Sequence, residues 1–461
     1  MARAGSGLYQ TIWRWHFYAG LFVMPMVLIL AMTGSLYLFK PQVERWEERA
    51  WQGLPTTGVV SPSVQRDAAL AAFPGATFHS YRLPEKVGDA VMIHLAVPSD
   101  GMRDVFVSPQ GKVLGSLDPE QRIMAVLRAV HGQLLLGERG SRVVELAASW
   151  AIVMIVTGLY LWWPTGGCLA GVVWPRLRQG NRAFWRDIHA VTGFWVSAFA
   201  LVLLLSGLPW TGVWGSTFNA VRAEMGWVKG EKGWSTGGEA PPAGEHAMHG
   251  AHDHAAMMQG HVHMPSSVTL EAIVVQAESE HLAFPAVVVP PGAPGLFGAP
   301  PDSRWTVRSD TQNRPLGVTI KYDPESGREV SRETFADKQV IDRVVGYGIA
   351  WHEGQLFGLA NQIVGVATAL ALVTLSLSGF IMWRKRKPAQ GLGAPPPSRD
   401  RRQSVGVKAI VALLFVLLPL FAVSLVLLWL FDRLALPRLP GLARWLGLPA
   451  DNPYGAAAGG C

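Results

Sequence analysis

The stretches "WRWHFYAG" (13–20) and "WRDIHAVTG" (185–193) are two settings of one pattern, and reading them as such decides the fold. Each brings a histidine, His16 or His189, to the start of a long apolar run. A glycine follows four residues later (Gly20, Gly193), and a Thr33-Gly34 or Ser206-Gly207 pair ends with its Gly eighteen residues after the histidine. A second pattern is also written twice, as "RAVHGQLLLG" (128–137) and "AWHEGQLFG" (350–358). His131 and His352 each precede an apolar run whose Thr157-Gly158 or Ser378-Gly379 pair ends twenty-seven residues later, with Trp162 or Trp383 four further on. Histidine is costly within a membrane and seldom sits there without a partner. Four of them at repeated positions argue for a ligand set, and haem iron is the first ligand to consider.

The 461 residues are 49 % hydrophobic and 16 % charged, which is too apolar for an ordinary soluble domain. Uncharged runs long enough to span a bilayer occur at Phe17–Phe39, Leu146–Trp163, 190–210, 359–383 and Ala409–Phe431. The first is too long for a signal-peptide core and is expected to stay as an anchor. The net charge of +7 comes largely from short loops and reads as membrane topology, with no nucleic-acid partner. Arg176, Arg178, Arg182 and Arg186 lie between runs two and three. Arg384, Lys385, Arg386, Lys387, Arg399, Arg401, Arg402 and Lys408 follow run four. The positive-inside rule makes these loops and the N-terminus cytoplasmic, with the long loops 40–141 and 211–358 on the far side.

The repeat sets the expected organisation. Span 1 closes the segment 1–40. A first loop module and its His-Gln segment fill 41–141, spans 2 and 3 fill 142–210, and a His/Met-rich insertion fills 211–265. A second module follows at 266–358, then span 4 at 359–387, a linker at 388–408, a fifth span at 409–431 and a tail at 432–461. In the first module a helical stretch near Ser63–Phe73 precedes strand-like "ATFHSYRL", "AVMIHLAV" and "RDVFVSP", then a turn "SPQGKVLG". In the second, "SSVTLEAIVVQAESE" precedes "PAVVVP", "SRWTVRSD" and "PLGVTIKYD", then "DPESGREVS". Alternating apolar and polar residues with Pro/Gly punctuation predict a helix-plus-antiparallel-sheet module in each loop. The fold class is thus a mainly α membrane protein, with a four-helix core from a tandem repeat, a fifth span and two α+β modules.

Cys168 falls in a cytoplasmic loop and Cys461 ends a tail expected on the far side, so the two should not pair. There is no C-x-x-C-H for c-type haem and there are too few thiolates for an iron–sulfur cluster. No nucleotide fingerprint and no catalytic dyad or triad motif occurs, so electrons must come from another molecule. Bis-histidine ligation suits iron in either oxidation state. Repeat symmetry pairs His16 with His189 on one side and His131 with His352 on the other, for two b-type haems. The glycines Gly20, Gly34, Gly158, Gly193, Gly207 and Gly379 admit either a flat macrocycle or tight helix packing. Arg14 and Arg186 suit haem propionates or a topological role. Trp13, Trp15, Trp162, Trp163, Trp185 and Trp383 read as interfacial belt residues. Gln133, Gln355 and Glu353 suit either ligand contact or helix-start packing.

The tract "EHAMHGAHDHAAMMQGHVHM" (245–264) carries His246, His249, His252, His254, His261 and His263 with Met257 and Met258. Imidazole with thioether favours copper, and zinc or nickel would also take the histidines. The other reading is a low-complexity insertion with incidental affinity.

Together "WHFYAG", the two "DP/SP…G" modules, "HGQLLLG", "DIHAVTGFW" and "WHEGQLFG" with its span ending in Trp-Arg-Lys resemble the PepSY-associated transmembrane family over roughly residues 8–387. That family includes inner-membrane ferric-siderophore reductases. The resemblance implies PepSY-like periplasmic modules, b-type haems on His16, His131, His189 and His352, and a bacterial inner-membrane setting. It further implies a cytoplasmic or quinol electron donor and a periplasmic ferric or cupric complex as acceptor, hence a transmembrane metal reductase bathed in membrane lipid. The alternative is a haem-free membrane protein that binds a partner through its modules or handles metal through the His/Met tract.

Overall fold

The computed structural model describes residues 7–98, 100–163, 171, 173–176, 178, 180–227, 264–294, 301–395 and 405–448. The metal candidates of the tract, His246 to His263 with Met257 and Met258, lie outside these, as do Cys168 and Cys461. Five described helices are long and apolar enough to cross a membrane: Gly7–Tyr37, Gly137–Trp162, Asn181–Trp210, Leu359–Arg386 and Pro419–Arg438. The chain forms two compact units. One comprises Met1–Met32, Ser141–Trp214 and Val366–Cys461; the other comprises Thr33–Gly140 and Gly215–Gly365.

The first unit is helical. It holds most of α1 (Gly7–Tyr37), α5 (Gly137–Trp162), α6 (Asn181–Gly207) and α10 (Leu359–Arg386), followed by α11 (Val405–Leu417), α12 (Pro419–Leu430) and α13 (Pro440–Trp445). Ala19 and Val23 of α1, Trp150 and Val153 of α5, Leu208, Leu418 and Phe421 form its buried apolar cluster. Start and end of α6 are both tied by carboxylates. Buried Asp187 accepts from Arg176 Nε at 2.7 Å and Arg186 Nη2 at 3.0 Å. Buried Glu145 accepts from the backbone N–H groups of Val213 and Trp214 at 2.9 and 3.0 Å, so it caps the helix α7 (Gly212–Glu224) that follows.

The fifth apolar run is not one continuous helix, and its candidate span is Pro419–Arg438. Pro419 has no N–H and disfavours helical geometry in the residue before it. Leu418 accordingly leaves the helix, at φ −126° and ψ 85°, and the run splits into α11 and α12. Both ends of this segment then meet one side chain. Arg14 donates to Pro395 O at 2.7 Å, and to Leu446 O and Gly447 O at 3.3 Å. Tyr18 donates to Leu446 O at 2.6 Å, and the Leu392 and Trp445 backbones pair at 2.8 Å. The turn at Leu417–Leu418 is held elsewhere, by Trp214 Nε1 on Leu417 O at 3.0 Å. Residues 446–448 therefore return to the end of α1 from which 392–395 depart, and the rest of the tail, 449–461, lies outside the described residues.

The second unit is built on one eight-stranded antiparallel sheet. Its strands are β1 (Thr77–Arg82), β2 (Val91–Val97), β3 (Gly101–Val107), β4 (Val113–Leu117), β5 (Ala286–Val289), β6 (Trp305–Ser309), β7 (Val318–Tyr322) and β8 (Glu329–Thr334), in the order β4-β3-β2-β1-β5-β6-β7-β8. The two loops each supply a four-stranded meander, and the meanders fuse where Tyr81 meets Val288 and Arg82 meets Val287. Strand alternation in "VMIHLAV" turns Val91, Ile93, Leu95 and Val97 to one face. There they pack with Val288, Val307 and Ile320 under α3 (Pro62–Ala72) and α8 (Leu270–Ser279). The turns take the same form in both halves. Gly111 and Gly327 adopt φ of +78° and +68°, and Pro109 O and Pro324 O accept from the backbone N–H of Val60 and Val268. Each turn is followed by a further strand, β4 or β8, that reading the turn alone had not supplied.

The first meander's other face is polar and covered. It meets α2 (Lys40–Glu47), the turn at 49–51 and α4 (Ile123–Gln133). Trp51 stacks on Phe106 at 4.0 Å, in space that Gly115 leaves open. Buried Arg122 donates to Glu47 and Glu48 at 3.1 and 2.9 Å, and Glu47 also accepts from the first N–H of α4. Glu48 in turn holds Arg82, and His94 Nδ1 meets Asp104 across β2 and β3 at 2.5 Å.

Helices α3 and α8 are joined by Glu271, whose carboxylate accepts from the backbone N–H of Ser63 at 3.1 Å and from its hydroxyl. Burial alone would raise the Glu271 pKa, but the bonds from Ser63, from its own backbone N–H and from Thr269 together outweigh it and bring it down to about 2. A depressed carboxylate stabilises the fold above its unfolded pKa, and that stability is lost as pH falls toward the folded value. We expect Glu271→Gln to cost about 1 kcal/mol at neutral pH, because the site is partly screened by water. The deficit should shrink between about pH 4.5 and 2, as read by melting temperature against pH. A deficit independent of pH would show that the bond carries no charge-dependent stability.

Candidate functional site

Three of the four repeated histidines are held in one way, by a neighbouring stretch of chain that offers a hydroxyl and then a glycine. His16 on α1 places Nδ1 2.9 Å from Thr157 Oγ1 on α5. His189 on α6 places Nδ1 3.1 Å from Ser378 Oγ on α10. His131 on α4 places Nδ1 3.0 Å from Thr33 Oγ1 at the end of α1. In each case the next residue is glycine, and a Cβ there would stand 3.2, 3.4 and 2.9 Å from the imidazole Cε1, at Gly158, Gly379 and Gly34 respectively. The glycines thus seat the imidazoles themselves. Gly20 and Gly193 face Met154 and Leu375 instead, as helix-packing positions do.

The hydrogen bonds assign the tautomer. A carbonyl oxygen only accepts, and Leu375 O also lies 3.1 Å from His189 Nδ1, so that nitrogen carries the proton. The Thr157 hydroxyl spends its own proton on Val153 O at 2.8 Å, so its oxygen accepts from His16 Nδ1–H. In the neutral ring the lone pair is then on Nε2, the form in which histidine binds a metal. His16 and His189 lie within electrostatic reach of each other. In the second unit the rings of His131 and His352, at the ends of α4 and α9 (Val340–His352), have centroids 6.3 Å apart and planes at 76°. All four side chains are half-buried.

The surroundings of His131 and His352 are tightly built. The turn from α4 to α5 puts Leu134 and Leu135 in the left-handed region at φ 52° and 58°, a strained arrangement for leucine that concentrates at functional sites. Gly140 admits no side chain there, because a Cβ would lie 1.6 Å from Gln133 O. The helical start of α5 at Gly137 shows that "GERGS" continues the helix, with the break at 134–136. Beside His352, Gly354 and Gly365 close on Leu38, whose carbonyl accepts from Gln355 and Gln362 at 3.0 Å each. Gln355 therefore closes the end of α1. Glu353 is buried and within electrostatic reach of Tyr37, Lys40 and Arg128 share that neighbourhood.

The arginines considered for propionates are engaged elsewhere, Arg14 on the carbonyls of the returning C-terminal segment and Arg186 on Asp187. Trp383 Nε1 holds Leu392 O at 2.9 Å, and Arg386 lies over Trp13 and Phe17. Sequence reading missed most of these ties, along with the Arg122 and Glu145 clamps, because they join residues far apart in the chain. Among the described residues no cluster of three or more His, Cys, Asp or Glu is placed to hold a bare metal ion.

Spanning helices that seat histidines on hydroxyl-glycine pairs, interrupted by segments that build one antiparallel sheet, define a multi-pass membrane protein of a particular kind. The model of the PepSY-associated TM region matches residues 13–386, and the chain belongs to that family. No curated protein matches the chain.

Gly34→Ala forces a contact at 2.9 Å against the His131 ring. It should destabilise the protein by about 1–3 kcal/mol, as overpacking does, whereas Gly132→Ala, inside α4 with open space around it, should be neutral or stabilise by up to about 1 kcal/mol. Thermal unfolding in detergent checks the order; equal losses at the two positions would contradict the seat.

Proposed function

We propose that this chain is an inner-membrane haem b protein that moves electrons across the membrane to reduce a periplasmic metal complex. The observation that carries the reading is the pairing of Nδ1-anchored imidazoles. A metal held at about 2 Å by two imidazole nitrogens on opposite sides, with ring radii of about 1.1 Å, would put the ring centroids about 6.2 Å apart. The centroids of His131 and His352 are 6.3 Å apart. His16 and His189 would hold one haem and His131 and His352 the other. The hydroxyl and carbonyl partners on Nδ1 of His16, His131 and His189 orient those rings and raise their basicity as ligands.

Such a group supplies one-electron chemistry, and the chain's own part is to hold, orient and shield it. Electrons would enter from a cytoplasmic or quinol donor and leave to a ferric siderophore, or to a ferric or cupric ion. Reduction to Fe(II) loosens a hard-oxygen chelate because the ion is softer and less charged. The orientation rests on the basic loops between spans two and three and after span four, with Arg176 and Arg386 among their residues, which the positive-inside rule assigns to the cytoplasmic side. The His/Met tract of the 211–265 insertion would gather copper or another transition metal on the opposite side. The two halves of the sheet are read as tandem PepSY-like modules exposed to the periplasm.

The test is a reduced-minus-oxidised absorbance spectrum of the purified chain with haem quantified. Two b-type haems per chain are expected, one lost in both His16→Ala and His189→Ala, the other in both His131→Ala and His352→Ala. Thr157→Val should keep the first haem but weaken its binding about 10–100-fold, the usual cost of removing an outer partner of a ligating histidine. Absence of haem after haem-replete expression would overturn the reading and favour a partner-binding or metal-handling role.

A further inference from the structure

Helices α4 and α9 lie outside the spanning segments, yet each turns an apolar stripe outward. On α9, Val340, Val344 and Tyr347 recur at helical spacing and are exposed, Val344 by 60 %. On α4, Ile123 and Val126 are exposed, Val126 by 42 %, and Leu127 and Val130 continue the stripe half-buried. An amphipathic helix normally turns its polar side outward. Here the opposite side is the one that is pinned. Arg222 of α7, itself buried, donates to Asp342 on α9, and Gly346, Ile349 and Ala350 pack inward beside that pair. Arg122, at the start of α4, is locked to Glu47 and Glu48, with Met124, Ala125 and Ala129 inward. These ion pairs fix the roll of each helix, so the outward stripe is a built feature of both.

We propose that α4 and α9 lie in the plane of the bilayer surface, with these stripes sunk at the boundary between headgroups and acyl chains. Continuity chooses lipid as the occupant. Only residues 134–136 separate α4 from the spanning helix α5, and residues 353–358 separate α9 from the spanning helix α10. The apolar run of α10 begins at Leu359, directly after its connector, so the end of α9 stands at the membrane surface; the apolar run of α5 begins at Leu146, about 14 Å of helix beyond Gly137, and α4 meets the headgroup side of that boundary. Those connectors carry exposed Leu135, Leu136 and Phe357, the last by 65 %. Beyond Phe357 the exposed apolar surface runs on through Leu359, Ile363, Leu370 and Leu377 along one side of α10. Monotopic helices bury one apolar side about 5–10 Å into that boundary. His131 and His352, at the ends of these two helices, then stand at headgroup depth, open to water-borne complexes and shielded from the hydrocarbon. The surface placement does not depend on haem.

The test uses the full chain in phospholipid nanodiscs with Cys168 and Cys461 replaced by serine. Nitroxide labels at Val344→Cys, Val126→Cys and Phe357→Cys are compared with Val87→Cys, an 89 % exposed position on a sheet loop. Collision rates are measured with oxygen, which partitions into lipid, and with a water-soluble nickel chelate. The first three labels should favour oxygen and the fourth the nickel chelate. Labels at 344 and 126 that favour nickel as Val87→Cys does would place the stripes in water. Labels shielded from both reagents would mean a protein surface covers them. Either result overturns the proposal, and haem content, measured on the same samples, separates it from the functional reading.

Discussion

The bond from histidine Nδ1 to a hydroxyl that is followed by glycine is the constraint on which the rest depends. It fixes three things together: which ring nitrogen carries the proton, how close the imidazole approaches the neighbouring backbone, and which pieces of chain must pack side by side. His16 brings α1 to α5, His189 brings α6 to α10, and His131 brings α4 to the end of α1. A hydroxyl alone would leave the ring free to swing. The glycine lets it lie against the backbone, where a Cβ would intrude at 2.9–3.4 Å. Polar groups in such surroundings must find partners, and here the partner also prepares the opposite nitrogen for a ligand.

The sheet and its covering helices serve the second histidine pair. The connection runs from α1 into α2, through Glu47 and Glu48 to Arg122, along α4 to His131, and back to Thr33 of α1. Closed circuits of this kind resist displacement at any single point, because each element is held at both ends. Burial of an ion pair is weak support for stability in itself, since desolvation offsets the attraction. The Arg122 and Arg222 pairs matter more for fixing the orientation of α4 and α9 than for the free energy of folding.

Much of this was legible in the residues, and the failures have physical causes. The repeated distance from each histidine to a Thr/Ser-Gly pair on the following span was visible, although the bonds join different helices: His16 takes the pair on α5, and His131 takes the one on α1. Periodicity shows that a pattern recurs, but contact partners follow from packing. The apolar run at 409–431 read as one uninterrupted span, while Pro419, in plain sight, divides it, and the stretch long and apolar enough to cross is Pro419–Arg438. Strands β4 and β8 were hidden behind strong turn signals at Gly111 and Gly327. Fusion of two meanders through Tyr81 and Val288 is a long-range pairing that no local pattern announces. The His/Met tract, so prominent in composition, lies outside the described residues and rests on its sequence alone.

The central claim is that the paired imidazoles would hold haem between them, and electron paramagnetic resonance of the oxidised, purified chain tests it most directly. Imidazole planes at 76°, as for His131 and His352, predict a strongly anisotropic low-spin ferric signal, and His131→Ala should remove it while leaving the signal of the other pair. A high-spin spectrum, or none from haem-replete protein, would contradict the account.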